Sequence, residues 1–231
     1  MRGEPVLVPL FLPLLLLLLL GPSLLVRGQE ASIEQRYTWT YAGRSWALIH
    51  RFSAAHYGFY RTRPRVLGYT RYDEYVHDEH DDKELQSLVD ALERLAADAG
   101  LVRWETLNLV ITFVQSIPYV GEAGEYPRYP LETLVERKAD CEDAAILAAA
   151  LLRQMRFDVV LLAFVEQNHM ALGIHVVPPA SVTDPPYLWN GNAYYYLEPT
   201  SLGWAIGDVP ERYRSQPEIV PLRPILAPSR R

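Results

Sequence analysis

The chain has 231 residues, of which 49% are apolar, and a formal net charge of −6. That length suits one domain with an export segment, and the apolar share is enough for a sizeable core. The acidic balance and the lack of a long Lys/Arg run argue against nucleic acid as a partner.

The N-terminus has the pattern of an export segment. Arg2 gives a short positive start, Val6 to Leu20 is apolar, Gly21-Pro22 breaks the run, and Val26-Arg27-Gly28 resembles a small-residue cleavage site before Gln29. An uncleaved anchor reaching Val26 is the rival reading, and both place the remainder outside the cytoplasm. From Arg36 to Arg65 strands are expected. Tyr37, Trp39 and Tyr41 alternate with Thr38 and Thr40, Ala42-Gly43-Arg44 makes a turn, and Trp46, Leu48, His50 and Phe52 share the next face. Asp82 to Ala99 carries an apolar stripe at helical spacing, with Asp81 and Glu84 as a capping box and Gly100 as the stop. A second helix is expected from Trp104 to Ser116, ended by Pro118.

Tyr126 to Pro130 is expected to be an extended loop. Asp140 to Gln154 is apolar almost all round, which predicts a buried central helix. Strands follow at Asp158–Val165, His169–Val177 and Tyr194–Leu197. A Pro-rich loop covers Pro178 to Asn192, and an extended tail follows Pro217. Helices first and an antiparallel run of strands afterwards predict an α+β fold, with helices packed on an antiparallel sheet and an N-terminal β-hairpin extension.

The one cysteine of the chain, Cys141, opens the central helix in the run Asp140-Cys141-Glu142-Asp143. It has no partner for an intramolecular disulfide, and free N–H groups at a helix N-terminus favour a thiolate. Alone it reads equally as a small buried apolar residue. Two histidines share one face of the following strand. They lie about 20 Å apart, so one at most can reach the thiol. His169, at the strand's start after the polar Glu166-Gln167-Asn168 turn, is the candidate base, whereas His175 reads as a surface or core histidine. Glu198 lies on the strand face of Tyr194 and Tyr196, where a carboxylate can orient an imidazole. Asp208 is the fallback. Together these give a nucleophile, a base and an orienting acid in the order Cys, His, Glu.

These stretches resemble a family. Tyr129-Pro130-Leu131-Glu132-Thr133-Leu134 followed by Asp140-Cys141-Glu142-Asp143-Ala144-Ala145-Ile146-Leu147 is similar to the nucleophile segment of the transglutaminase-like superfamily, which has a papain-like cysteine-enzyme core. His169-Met170-Ala171-Leu172-Gly173 resembles its histidine strand. Tyr194-Tyr195-Tyr196-Leu197-Glu198-Pro199-Thr200, followed by Gly203-Trp204, resembles its acid strand. Phe113-Val114-Gln115-Ser116-Ile117-Pro118-Tyr119 resembles the preceding helix of exported prokaryotic members. The resemblance covers roughly residues 70 to 213. It implies Cys141 as nucleophile, His169 as base and then acid, and Glu198 as the orienting group. Family members usually carry aspartate at the third position, and many carry glycines before the Asp-Cys pair where this chain has Lys138-Ala139. Lys138 could add positive charge near a thiolate or simply be solvated. Gln115 is a candidate oxyanion donor, with a structural tie to a nearby loop as its alternative.

The domain reading is therefore a signal peptide or N-terminal membrane anchor at 1–28, a hairpin-and-helix extension at 29–100, a catalytic core at 101–215 and a Pro-rich tail at 216–231. The function implied is extracytoplasmic thiol chemistry on peptide amide bonds through an acyl-enzyme, as hydrolysis or as transglutaminase acyl transfer. No cofactor is expected. Calcium at Asp140, Glu142 and Asp143, or a metal at His77-Asp78-Glu79-His80-Asp81-Asp82, reads more simply as helix capping and dipole compensation. The partner is a peptide or protein substrate, and membrane contact is expected only through the N-terminal segment. A rival from another class is a binding module on the same fold, its peptide or glycan groove lined by Tyr126–Tyr129 and Tyr194–Tyr196. An envelope structural protein is a third reading.

Overall fold

The computed structural model describes residues 31–122 and 124–224. The expected export segment at 1–28 and the end of the expected tail lie outside them. Strands β1 (Ser32–Tyr41) and β2 (Arg44–Ser53) pair antiparallel through a two-residue turn in which Ala42 and Gly43 both have positive φ, the geometry that matches strand twist. One hairpin face is buried. Trp39 and Trp46 face each other in register, and the Tyr37 and Trp39 rings meet Phe113 edge-on at 5.0 and 5.4 Å.

The expectation of strand as far as Arg65 is corrected. Helix α1 (Ala54–Thr62) begins directly after β2, because the Ser53 hydroxyl accepts the His56 N–H and caps its first turn. A short helix α2 (Asp73–Val76) follows, and then α3 (Asp82–Asp98), which buries Leu85, Leu88, Val89, Leu92 and Ala96. Gly100 at φ 76° ends α3, with Leu101 N–H bonded to Ala96 C=O. The predicted capping box at α3 does not form. Asp81 is itself helical and buried, and Glu84 reaches across to Ser53 N–H and His56 instead.

Helices α4 (Arg103–Gln115), α5 (Pro130–Glu136) and α6 (Cys141–Gln154) come next; Tyr126 to Tyr129 is loop, as expected, and α5 begins at Pro130. Pro130 sits at its first turn, where a missing N–H costs nothing. The sheet is formed by β3 (Asp158–Phe164), β4 (His169–His175), β5 (Tyr187–Trp189), β6 (Asn192–Leu197) and β7 (Glu218–Pro221), in the order β5-β6-β4-β3-β7 with every pair antiparallel. The fold is mixed α+β with an N-terminal hairpin.

One further expectation changes: part of the loop 178–192 is strand β5. The tail is extended over Glu218–Pro221, as expected, and there β7 pairs with β3, covers an otherwise open edge and buries Val220. One apolar cluster runs from Tyr37 to Val220. Helix α6 lies on the sheet face of Val159, Leu161, Ala163, Met170, Leu172 and Ile174. The opposite face is a second cluster that includes Phe164, Ala171, Tyr196 and Tyr213. Gly173 belongs to that second face. Its small size is required by the flanking strands: a Cβ there would lie 2.9 Å from both Tyr194 Cβ and Val160 Cγ2. Among the described residues, no helix is long and apolar enough to cross a membrane.

Candidate active site

The nucleophile candidate is placed by helix capping. Asp140 has extended backbone angles and its carboxylate accepts the Asp143 N–H at 3.3 Å, so the helix begins at Cys141. The chain enters this cap from α5 through Arg137, whose φ is 53°. The left-handed residue thus stands two positions before Ala139, which needs no such geometry. Ala139 instead makes a parallel bridge to Tyr119, which joins the segment after α4 to the approach to α6.

The first turn of α6 is held from outside by Arg128, 1% exposed. It donates from its backbone N–H to Asp143 Oδ1 at 2.7 Å and from its guanidinium to Asp143, Glu136 and Glu122. Lys138 pairs with Glu136 at 3.4 Å and Glu122 at 3.7 Å, so its charge serves the same network and is not directed at the thiol.

The base candidate is placed by the β3–β4 turn. A 3-10 turn over Val165–Gln167 ends at Asn168 in the left-handed region, and β4 then opens at His169 in register with Phe164. His169 Nε2 is 2.9 Å from Glu198 Oε2, and both side chains are buried. Glu198 follows β6 directly. Its Oε2 also accepts the Tyr196 hydroxyl at 2.7 Å, and its Oε1 accepts the Thr200 hydroxyl at 2.6 Å and the Thr200 N–H at 3.1 Å. Burial alone would push this carboxyl up. The bonds from His169, Thr200 and Tyr196 outweigh burial and hold it below the usual carboxylate range. The longer Glu side chain therefore reaches the imidazole without difficulty. Asp208, the fallback, accepts Ala205 N–H at 3.1 Å and closes a local turn.

Cys141 and His169 line one cleft of about 480 Å³, walled also by Tyr69, Tyr72, Tyr119 and Phe164. Cys141 is 9% exposed, and that cleft is its route to solvent. Its sulfur lies 3.9 Å from the carbonyl of Asn168, the residue next to the imidazole. Its S–H donates to Glu142 Oε2 at 3.2 Å. The expectation that the helix tip would favour a resting thiolate is corrected here. Burial first, and then the Glu142 carboxylate beside it, push the thiol up to about 12. A thiolate cannot rest against an anion at that distance, so the thiol is neutral in this arrangement.

Gln115 is buried at the end of α4, with Nε2 donating to Glu198 C=O at 2.8 Å and to Trp204 C=O at 3.0 Å. Both amide hydrogens are thus committed to the loop after β6, and none is directed at the cleft. This is the tie, and the oxyanion assignment loses its donor. The groove expected for a binding module does not form either. Tyr129, Tyr194 and Tyr196 are buried, and the Tyr126 hydroxyl is bound within a cluster with Arg65 and Glu132. His175 is exposed, at the far end of β4, with Nδ1 2.9 Å from Ala193 C=O. Asp78, from the acidic run before α3, is bonded to Tyr60, Arg63 and His80.

Sequence reasoning missed Tyr213. Its ring lies flat on the His169 imidazole, with centroids 4.0 Å apart and planes 6° from parallel. It sits in a 3-10 turn within an aperiodic stretch, and nothing in the sequence marks it. Arg128 was also missed, because it lies in a loop and its partners Glu122, Glu136 and Asp143 stand at no helical or strand spacing from it. Tyr196 and Thr200 lay within the acid-strand stretch, but their convergence on one carboxylate was not foreseen.

No protein-family model and no curated protein matches the chain. Among solved structures it is similar to a chain from Cytophaga hutchinsonii described as a "putative cysteine protease", at 14% identity and a TM-score of 0.36, covering 74% of this chain. The match spans 63% of that chain, less than two thirds of its length.

Proposed function

We propose that the chain is an extracytoplasmic thiol hydrolase of the transglutaminase-like kind, acting on peptide amide bonds. The observation that carries this reading is that Cys141 and His169 line one cleft, with the buried Glu198 bonded to His169 behind it. With Nε2 engaged by Glu198, Nδ1 is the nitrogen left to accept a proton. As Cys141 Sγ attacks the amide carbonyl carbon, the thiol proton passes to Nδ1 and the carbonyl oxygen becomes an oxyanion. The unpaired N–H groups in the first turn of α6 are suited to stabilise that charge, a role Gln115 cannot fill. The imidazolium then protonates the leaving amine nitrogen as the C–N bond breaks, which leaves a thioester. Water attacks the thioester and gives its proton to Nδ1, and the acid departs as the thiol is re-formed. An amine in place of that water gives transglutaminase acyl transfer at the same site.

Alkylation and turnover test this reading. Cys141→Ala is expected to abolish iodoacetamide labelling and all amidase activity. Full amidase activity in that variant removes the proposal. Incorporation of a fluorescent amine into a glutamine peptide would assign acyl transfer over hydrolysis.

One observation favours a binding module that keeps the fold, namely the neutral thiol pushed up to about 12. On that reading wild type and His169→Ala alkylate with the same pH profile.

A further inference from the structure

We propose that the cleft selects a substrate with a cationic side chain beside the scissile amide, and that Glu142 is the residue that reads this charge. The inference rests on the thiol-enzyme reading above and adds the substrate class to it. Every charged side chain among the described residues lining the cleft is acidic, apart from His169 itself. They are Glu122, Glu125, Asp140 and Glu142, and no lysine or arginine is among them.

These four carboxyls differ in how far the protein already satisfies them. Glu122 is paired with Arg128 and Lys138. Asp140 is turned inward as the helix cap, and burial with its neighbours Asp143 and Glu142 pushes its carboxyl up toward the neutral form. Glu125 accepts only neutral donors, the Gly68 N–H at 2.7 Å and the Tyr72 hydroxyl at 3.2 Å. Glu142 is half-buried and accepts the S–H of the nucleophile at 3.2 Å. Tyr69, Tyr72 and Tyr119 line the same cleft, and aromatic side chains accommodate an ammonium or guanidinium with its alkyl stem. The cleft therefore offers uncompensated negative charge beside aromatic side chains to an entering group.

Glu142 links recognition to chemistry because the same negative charge attracts a substrate cation and opposes thiolate formation beside it. A cation paired with Glu142 offsets that charge, so the correct substrate primes the nucleophile that will attack it. The other groups acting on the sulfur are few. The Asp140 carboxyl on the same turn opposes a thiolate, the Met170 backbone of β4 favours it by a hydrogen bond, and the neutral hydroxyls of Tyr119 and Tyr213 lie near it. Arg212 stacks on Tyr213.

The experiment uses charged thiol reagents, because Cys141 is the single cysteine of the chain and every label reports it. Methanethiosulfonates carrying a trimethylammonium or a sulfonate group react with the full chain in mild detergent. The thiolate sulfur attacks the sulfenyl sulfur, a disulfide forms and methanesulfinate leaves. The cationic-to-anionic rate ratio, normalised to the ratio for 2-mercaptoethanol, is expected to exceed one by roughly tenfold or more, and Glu142→Gln is expected to lower it roughly tenfold, as one nearby charge acting oppositely on the two reagents requires. Glu125→Gln is expected to lower it less. The neutral methyl reagent reports folding and access in each variant, and its acceleration in Glu142→Gln is expected as the anion beside sulfur is removed. A ratio near that of the free thiol, or one unchanged by Glu142→Gln, overturns the proposal. Dependence of the neutral reagent's rate on His169 reports the Cys–His pair separately, so loss of charge selection and loss of the thiol-enzyme reading give different results.

Discussion

Glu198→Gln is the substitution whose outcome the geometry fixes most closely. Four donors converge on this buried carboxylate: His169 Nε2 and the Tyr196 hydroxyl on one oxygen, and the Thr200 N–H and hydroxyl on the other. An amide has one oxygen, so whichever way it is turned, two donors face an NH2 group that cannot accept. Hydroxyls can rotate away, whereas a backbone N–H or a positioned ring N–H cannot. With hydrogen bonds to a charged group contributing about 1.5–3 kcal/mol each, and with partial relief by rotation, the expected loss is about 3 kcal/mol. For a chain of this size that corresponds to a fall in melting temperature of about 6–12 °C. Urea and thermal unfolding measure the loss, and the same samples give the rate of Cys141 alkylation, which is expected to fall as the imidazole loses its fixed tautomer. A variant within about 0.5 kcal/mol of wild type, with an unchanged alkylation rate, refutes the convergence on which the site is built.

Other expected outcomes follow from the same geometry. Because Glu198 is held below its usual 4.5, its contribution to stability is present above that pH and is lost as pH falls through the lowered value; urea titrations from pH 6 to 3 should show this loss in wild type and not in Glu198→Gln. Gln115→Leu removes two bonds to the loop after β6 and is expected to cost about 2 kcal/mol in urea unfolding; a loss of turnover of about a hundredfold with no loss of stability would restore its oxyanion assignment. Gly173→Ala drives a Cβ to 2.9 Å from Tyr194 and Val160 and is expected to destabilise by about 1–3 kcal/mol, measured by the urea midpoint. Arg128→Ala leaves the buried Asp143 carboxylate without its cation and is expected to cost about 3–5 kcal/mol by the same measurement.

What could be read in the sequence was local and periodic. The α3 stripe, the all-round apolar α6 and the alternating hairpin each state their burial within about a dozen residues. The structure places both helices within a residue of the expected ends, whereas the hairpin begins before Arg36, at Ser32, and stops at Ser53. Asp140 at the N-cap of α6 and Glu198 just past β6 could be read for the same reason, since capping and strand alternation are rules of sequence neighbours. Helix α1 could not be read in this way, because its Tyr and Phe side chains suit a strand equally and the decision rests on the Ser53 hydroxyl. The flat Tyr213–His169 stack and the pairing of β7 join residues that are remote along the chain, and the Arg128 network joins nearer residues across loops that follow no period. The ionisation of Cys141 followed the same division. The helix tip was visible and argued for a thiolate, whereas the burial and the carboxylate orientation that outweigh it belong to the folded surroundings.

The most direct measurement is the rate of iodoacetamide alkylation of Cys141 between pH 5 and 11, in wild type and in His169→Ala. If Nδ1 of His169 takes the thiol proton, the wild-type inflection lies at lower pH than that of the variant, whose thiol keeps the burial and the Glu142 carboxylate but has no imidazole to take its proton. Superimposed profiles contradict the account, because they mean that the imidazole and the sulfur share a cleft without sharing a proton.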